Sequence, residues 1–341
     1  MKNILIRADG SKEIGMGHLR RAYSIGSEFI RRGYKPVILM KEDVNGLQFL
    51  LDRKVDNHCL SQSLSIDDEL REVYKLILSN LPCVFILDIL YHDEYQALLT
   101  NLKKEQCLSV VITDESKKTT IKADIVLNGN PHQLDYDYTE SPEYYLMGPK
   151  YFIMDSSYED VEVDSPKQKK KLNLFITVGG SDHNDLLFNV LEALGSVNVN
   201  FGLSIFVTST TGYKEKLISF LDNSDLETQL YVDQETLAPF WETCDLAITA
   251  AGNTLFERIA ARLPGATVCQ LPRQMNIANC LEKLGVNVNL GLGIELSVKT
   301  LSEKIETFMC DIRLQEIQYE RSPTITRGRG LSYLIKAIDD S

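Results

Sequence analysis

Apolar positions along this chain fall into two alternating spacings. Asn3 to Ile6 is a short apolar run of strand type. Leu19 to Arg32 then repeats at helical spacing, with Leu19, Ala22, Ile25, Gly26, Phe29 and Ile30 on one side. Lys35 to Met40 reads as a strand and Asn45 to Asp52 as a short helix. Asp67 to Leu81 reads as a longer helix that buries Leu70, Val73, Tyr74 and Ile77. Val84 to Ile89 is almost continuously apolar, as a strand covered on both faces is. A helix over His92 to Gln106 and strands over Leu108 to Thr113 and Ile125 to Leu127 complete the first half. Strands alternating with helices predict a parallel, doubly wound sheet.

The pattern then pauses. Tyr158 to Asp164 is acidic, Pro166 interrupts, and Lys167 to Lys171 is basic. This predicts a linker over 156–171, between a first domain at 1–155 and a second at 172–341. The second half restarts with strands at Leu172–Val178, Leu203–Val207, Gln229–Val232, Leu246–Thr249 and Ala266–Gln270. Between and after them come helices at Asn184–Leu194, Tyr213–Leu221, Thr236–Glu242, Thr254–Ala261 and Ile277–Leu284. Leu314–Glu320 and Leu331–Ile338 read as helices that close this second domain. The expected fold class is α/β, with two Rossmann-like doubly wound domains facing a cleft.

Composition narrows the function. A length of 341 residues exceeds one ordinary core. The net charge of −12 argues against a general binder of nucleic acid or anionic membranes. A phosphorylated ligand must therefore meet local donors rather than a basic field. The seven cysteines include no Cys-x-x-Cys pair, which fits reduced thiols and gives no zinc signature. The five histidines lack metal-binding spacing. No metal or other cofactor is expected. No run has the length of a signal peptide's apolar core or a membrane span, so the expectation is a soluble, cytoplasmic protein.

Candidate chemistry starts at Arg7–Arg21, RADGSKEIGMGHLRR. Here a strand passes through a glycine loop into a helix. Gly15 and Gly17 let a ligand approach the main chain, and the helix start offers unpaired N–H groups to an anion. His18 stands at that start, where the helix dipole disfavours imidazolium, so it is expected to be neutral at pH 7 and able to accept a proton. The competing reading is a tight turn whose histidine bonds locally. Asp9, Asp88, Asp114, Glu115, Asn128 and Asn130 all follow strands, on the edge where α/β sheets bind ligands. Each taken alone could be a cap or turn residue.

Two more glycine loops follow strands in the second half. Gly179, Gly180, Ser181 and Asp182 form one, and Ala251, Gly252, Asn253 and Thr254 the other. Both suit phosphates, although neither is a Walker loop or a full dinucleotide fingerprint. Glu257 either closes a capping box with Thr254 or reaches ribose hydroxyls. Gln274 either faces water or reaches a sugar hydroxyl.

Taken in order, these motifs resemble the UDP-2,4-diacetamido-2,4,6-trideoxy-β-L-altropyranose hydrolases of the pseudaminic acid pathway and the related spore-coat polysaccharide proteins. The set runs Asp9-Gly10-Ser11, Ile14-Gly15-Met16-Gly17-His18-x-x-Arg21, Gly179-Gly180-Ser181-Asp182, Ala251-Gly252-Asn253-Thr254-Leu255-Phe256-Glu257 and Gln274. More distantly the chain is similar to the GT-B glycosyltransferase that makes lipid II. The resemblance implies that His18 is the base that activates water at the anomeric carbon, with no metal. It implies UDP in the second domain, with Gly252, Asn253 and Thr254 at the diphosphate and Glu257 at the ribose. The expected substrate-binding set is Asp9, Gly15, Gly17, Arg21, Asp88, Asp114, Asn128, Gly179, Gly180, Ser181, Asp182, Ala251, Gly252, Asn253, Thr254, Glu257 and Gln274. The expected ligand is a UDP-sugar, with no nucleic acid and no stable membrane association. Alternatives are a GT-B glycosyltransferase using the same donor and a non-catalytic nucleotide-sugar sensor.

Overall fold

Two parallel sheets organise the computed structural model, which describes residues 3–11, 14–114, 121–132, 144–180, 182 and 185–341. The chain divides into two compact units. One comprises Met1–Ser156 with Arg329–Ser341, the other Ser157–Gly328.

In the first unit, β1 (Asn3–Ala8) leads through a loop to α1 (Gly17–Arg31), followed by β2 (Pro36–Lys41), α2 (Val44–Asp52), β3 (Asn57–Leu60) and α3 (Ile66–Ser79). Then come β4 (Cys83–Asp88), a 3-10 turn at His92–Tyr95, α4 (Gln96–Leu102), β5 (Cys107–Ile112), β6 (Ile125–Asn128) and β7 (Tyr144–Met147). The order among the described residues is β3-β2-β1-β4-β5-β6-β7, with every pairing parallel. Strand side chains alternate between two cores. Ile4, Ile6 and Ala8 pack with α1, while Leu5, Phe85 and Leu87 pack with α3 and α4. The helix expected over His92–Gln106 is shorter, because the 3-10 turn takes its first residues and buries Tyr95.

The second unit repeats the plan with β8 (Leu172–Thr177), α5 (Leu186–Leu194), β9 (Phe201–Val207), α6 (Lys214–Asp222), β10 (Thr228–Val232), α7 (Ala238–Trp241) and β11 (Leu246–Thr249). It continues with α8 (Asn253–Ala260), β12 (Gly265–Cys269), α9 (Pro272–Lys283), β13 (Val288–Leu292), α10 (Val298–Cys310) and α11 (Ile312–Ile325). The strand order is β10-β9-β8-β11-β12-β13, again parallel.

Two boundary expectations change. The segment read as a linker packs onto the second unit: Tyr158 and Val163 are buried, and Val163 N–H donates to Ala261 O at 3.2 Å. Its charged composition hid these two apolar anchors. The last helix, α12 (Gly330–Asp339), belongs to the first unit instead of closing the second. Leu331, Leu334, Ile335 and Ile338 join the core of Ile4, Ile6 and Ile153. Amphipathic spacing predicts a helix but not which core receives its apolar face. No described helix is long and apolar enough to cross a membrane.

Strand order reverses direction between β1 and β4 in the first unit, and between β8 and β11 in the second. Such switch points open crevices at the carboxyl ends of the strands. The β1–α1 loop, the end of β4 and both glycine loops of the second unit lie at these positions.

Candidate active site

The β1–α1 loop closes on itself. Ser11 N–H donates to Gly15 O at 3.3 Å, and Ile14 N–H to Ser11 Oγ at 3.3 Å. Gly15 has φ of +84°, which favours glycine. Gly17 has no such requirement, yet a Cβ there would meet nothing within 4 Å. The helix starts at Gly17 without a side-chain cap, and its first backbone bond among the described residues is Arg20 N–H to Met16 O at 2.9 Å. The N–H groups of Gly17, His18 and Leu19 thus have no hydrogen bond among the described residues.

His18 and Arg21, one helical turn apart, meet the end of β4. His18 Nδ1 lies 2.7 Å from Asp88 Oδ1. Arg21 donates from Nε to Asp88 Oδ2 at 2.7 Å and from Nη2 to Oδ1 at 2.6 Å. On its other side Arg21 reaches both oxygens of Asp114 at 3.1 Å. Side-chain exposure is 14% for His18, 10% for Arg21, 0% for Asp88 and 44% for Asp114. An ionised Asp88 can only accept, so it assigns the proton to His18 Nδ1. Nε2 then carries the free lone pair of the neutral ring, with no hydrogen bond among the described residues.

Burial works against ionising Asp88, but the charge and hydrogen bonds of Arg21, helped by His18, hold its pKa down at about 2. For His18, burial alone would depress the pKa. The hydrogen bond and charge of Asp88 overcome that, Arg21 opposes them and Asp114 assists, and the net direction is upward. The helix start alone would push in the opposite direction. A carboxylate in direct contact outweighs partial charges on the helix amides.

Asp9 is placed differently from the expectation. Arg7 Nη2 reaches Asp9 Oδ2 at 2.9 Å, Tyr91 Oη donates to Oδ2 at 3.0 Å, and Lys41 N–H donates to Oδ1 at 2.8 Å. Arg7 also donates to Glu69 Oε1 at 2.8 Å, Tyr95 Oη donates to the same oxygen at 2.6 Å, and Lys41 Nζ lies 3.1 Å from Glu69 Oε2. Arg7 and Glu69 are fully buried, so this neutral cluster braces the loop from beneath, and Asp9 serves inside it. Sequence reasoning missed Arg7, Lys41, Glu69, Tyr91 and Tyr95. The available signal was a charged residue inside the apolar strand NILIRA. Asn128 is buried at the end of β6. Its Oδ1 accepts from Asn130 N–H at 3.0 Å, and Asn130 Nδ2 donates to Asp114 O at 3.1 Å. These two residues support the Asp114 backbone. Glu115 lies outside the described residues.

In the second unit, α8 starts at Asn253 with Gly252 as an uncapped N-cap, and a Cβ on Gly252 would meet nothing within 4 Å. The N–H groups of Asn253 and Thr254 have no hydrogen bond among the described residues. Ala251 is buried behind them, and Ala250 N–H ties the loop to Thr177 O at 3.2 Å. Gly179, with φ of +89°, and Gly180 also leave open space. Ser181 lies outside the described residues. Asp182 is engaged elsewhere: it accepts from Leu186 and Leu187 N–H at 2.8 and 3.0 Å, and from Tyr213 Oη at 3.2 Å, so it caps α5.

Thr254 sits inside α8, not at its cap, which removes the capping-box reading of Glu257. Glu257 is half-buried beside the Tyr158 hydroxyl, whose pKa burial and that carboxylate push up. Gln274 Oε1 accepts from Gln270 N–H at 2.7 Å and closes the start of α9. Neither expectation for Gln274 foresaw this. Among the described residues no group of three or more His, Cys, Asp or Glu is placed to hold a metal ion.

No protein-family model matches the chain. The Methanocaldococcus jannaschii protein MJ1062 is 28% identical over 279 residues, covering 78% of this chain but 55% of that longer relative, about half its length. The spore coat polysaccharide biosynthesis protein SpsG of Bacillus subtilis is 24% identical over 341 residues, covering 98% of this chain and 97% of its own. The UDP-2,4-diacetamido-2,4,6-trideoxy-beta-L-altropyranose hydrolase of Campylobacter jejuni is 23% identical over 294 residues, covering 84% and 98%. Among solved structures, MurG of Acinetobacter baumannii superposes with a TM-score of 0.73 at 15% identity, over 100% of both chains. By sequence the chain is a distant relative of proteins named for altropyranose hydrolysis and spore-coat polysaccharide synthesis, and its two parallel-sheet units have the GT-B glycosyltransferase fold.

Proposed function

We propose that the chain is a UDP-sugar hydrolase. It would release UDP from a UDP-linked acetamido-deoxy sugar, in nonulosonic acid or surface polysaccharide synthesis. The observation that carries this reading is His18: Nδ1 is held by Asp88, while Nε2 has no hydrogen bond among the described residues, at the switch point of the first sheet. The Campylobacter jejuni relative's name supplies the substrate class.

Water bonded to Nε2 attacks the anomeric carbon as His18 takes its proton. Asp88 stabilises the imidazolium that results. The sugar C1–O bond breaks, and UDP leaves with the electron pair. In the second unit, the open amides at the start of α8, at Gly252, Asn253 and Thr254, suit a diphosphate. Both carboxylates beside His18 are engaged by Arg21, which disfavours a covalent intermediate on either and favours single displacement with inversion.

Incubation with a panel of UDP-sugars in oxygen-18 water tests the reading. Label should enter the free sugar and not UDP. His18→Gln should lower kcat by about 10²–10⁴-fold while UDP affinity stays near wild type. Label in the phosphate, or near-normal turnover by the variant, would refute the mechanism. UDP release only on adding a carbohydrate acceptor would replace the hydrolase with a glycosyltransferase using the same base.

A further inference from the structure

Arg21 stands in the expected substrate-binding set, but its hydrogen bonds leave little for a ligand. Arg21 commits four of the five N–H donors of a guanidinium to two aspartates: Nε and one Nη2 hydrogen to Asp88, Nη1 and the other Nη2 hydrogen to Asp114. The two carboxylates come from the ends of adjacent strands, Asp88 closing β4 and Asp114 following β5. The guanidinium therefore ties together the strand ends on which His18 rests. Its Nη2 lies 3.2 Å from His18 Nδ1, and both nitrogens share Asp88 Oδ1 as acceptor.

We propose that Arg21 is a positioning residue for His18: forked between Asp88 and Asp114, it pins the Asp88 carboxylate against Nδ1 and offsets the two aspartates, so that Nε2 stays free to take a proton. This deepens the proposed function and rests on the reading of His18 as the base. The charged groups facing the imidazole are Asp88 from β4, Arg21 from α1 and Asp114 from the loop after β5. Asp9, in the loop before α1, is held by Arg7 and Tyr91. Two aspartates and one arginine leave one net negative charge beside the ring. Without Arg21 that becomes two, imidazolium is favoured further, and a protonated Nε2 cannot act as a base. Without Asp114 the surroundings become neutral and imidazolium is disfavoured. Asp88 is fully buried and Arg21 nearly so, which leaves these two charges poorly screened, whereas Asp114 is 44% exposed and acts more weakly.

The proposal therefore predicts opposite movements for two variants on one residue's titration. Side-chain nitrogen NMR of the full chain reads the His18 midpoint directly, with the signal assigned by its loss in His18→Gln. Arg21→Met should move the midpoint up, Arg21→Lys should bring it back towards wild type, and Asp114→Asn should move it down. Thermal melting checks that each variant is folded. An unmoved midpoint in folded Arg21→Met, or movement of Arg21→Met and Asp114→Asn in one direction, overturns the proposal. Should Arg21→Met not fold, Asp114→Asn decides, and an unmoved or raised midpoint overturns it. The titration needs no substrate. A wild-type protein that releases no UDP from any UDP-sugar defeats the proposed function, while the NMR result still decides the role of Arg21. With turnover in hand, the acid limb of kcat/KM must move with each midpoint.

Discussion

At the scale of single residues, Asp88 and His18 make opposite contributions to stability as pH changes. Asp88 has its folded pKa held at about 2, below the ordinary 3.8, so its contribution is present above about pH 4 and is lost as pH falls through the folded value. His18 has its folded pKa raised above 6.5, so its contribution is complete below that pH and is lost as pH rises through the folded value. Urea unfolding of wild type and His18→Gln should therefore differ more at about pH 5 than at about pH 9. A difference that grows with pH would mean the imidazole is held neutral. The sequence singles out Asp88 and Asp114 because each follows an apolar strand, His18 because it follows a glycine loop at a helix start, and Arg21 only through the motif it shares with His18. Their mutual geometry was not, since the two aspartates lie 67 and 93 positions from Arg21. A separation of 62 positions likewise hid Glu69 from Arg7, and with it the cluster that holds Asp9.

At the scale of elements, two kinds of glycine separate. Gly17 and Gly252 stand at helix starts where a side chain would meet open space, so the fold does not require glycine there. Gly46 is the contrary case: a Cβ would lie 2.6 Å from Gly10 O and 2.6 Å from Met40 Cε, where α2 crosses the loop. Gly17→Ala, at the first helical position, and Gly252→Ala, at an N-cap where alanine is less favourable than glycine by about 1 kcal/mol or less, should both melt within a few degrees of wild type. UDP affinity, measured by calorimetry, should nevertheless fall in Gly252→Ala. Gly46→Ala should lose about 1–3 kcal/mol from overpacking. Unchanged UDP binding in Gly252→Ala would leave that helix start without a ligand. The strands missing from the periodicity reading, β3, β7 and β13, are all at sheet edges. β3, with the sequence NHCL, is half polar, because an edge strand contributes less to the core. Central strands such as β4 are apolar throughout and read correctly for the same reason.

At the scale of the whole molecule, the clusters of the two units are separate, and α12 completes one of the two in the first unit. The repeating α/β pattern made the two-sheet plan legible, but nothing in the spacing of Leu331, Leu334, Ile335 and Ile338 says which sheet they cover. Each buried side chain of this size contributes about 1.5–3 kcal/mol, and four together rival the roughly 5–15 kcal/mol that holds a domain folded. Removing Arg329–Ser341 should therefore unfold the first unit and spare the second. Hydrogen exchange read by mass spectrometry should show protection lost in β1 and β4 and kept in β8 and β11. Equal loss in β8 and β11 would show that the second core depends on the first.

The return of α12 also orders events on the ribosome. Residues 157–328 can reach their final core once they have emerged, because every strand and helix of that unit is contiguous. The earlier-made sheet must wait, with Ile125, Leu127 and Ile153 lacking the helix that packs on β6 and the segment after β7, until residues 330–339 arrive. The unit synthesised first is thus the one finished last, and the half-built sheet is the nascent species that a chaperone would be needed to shield.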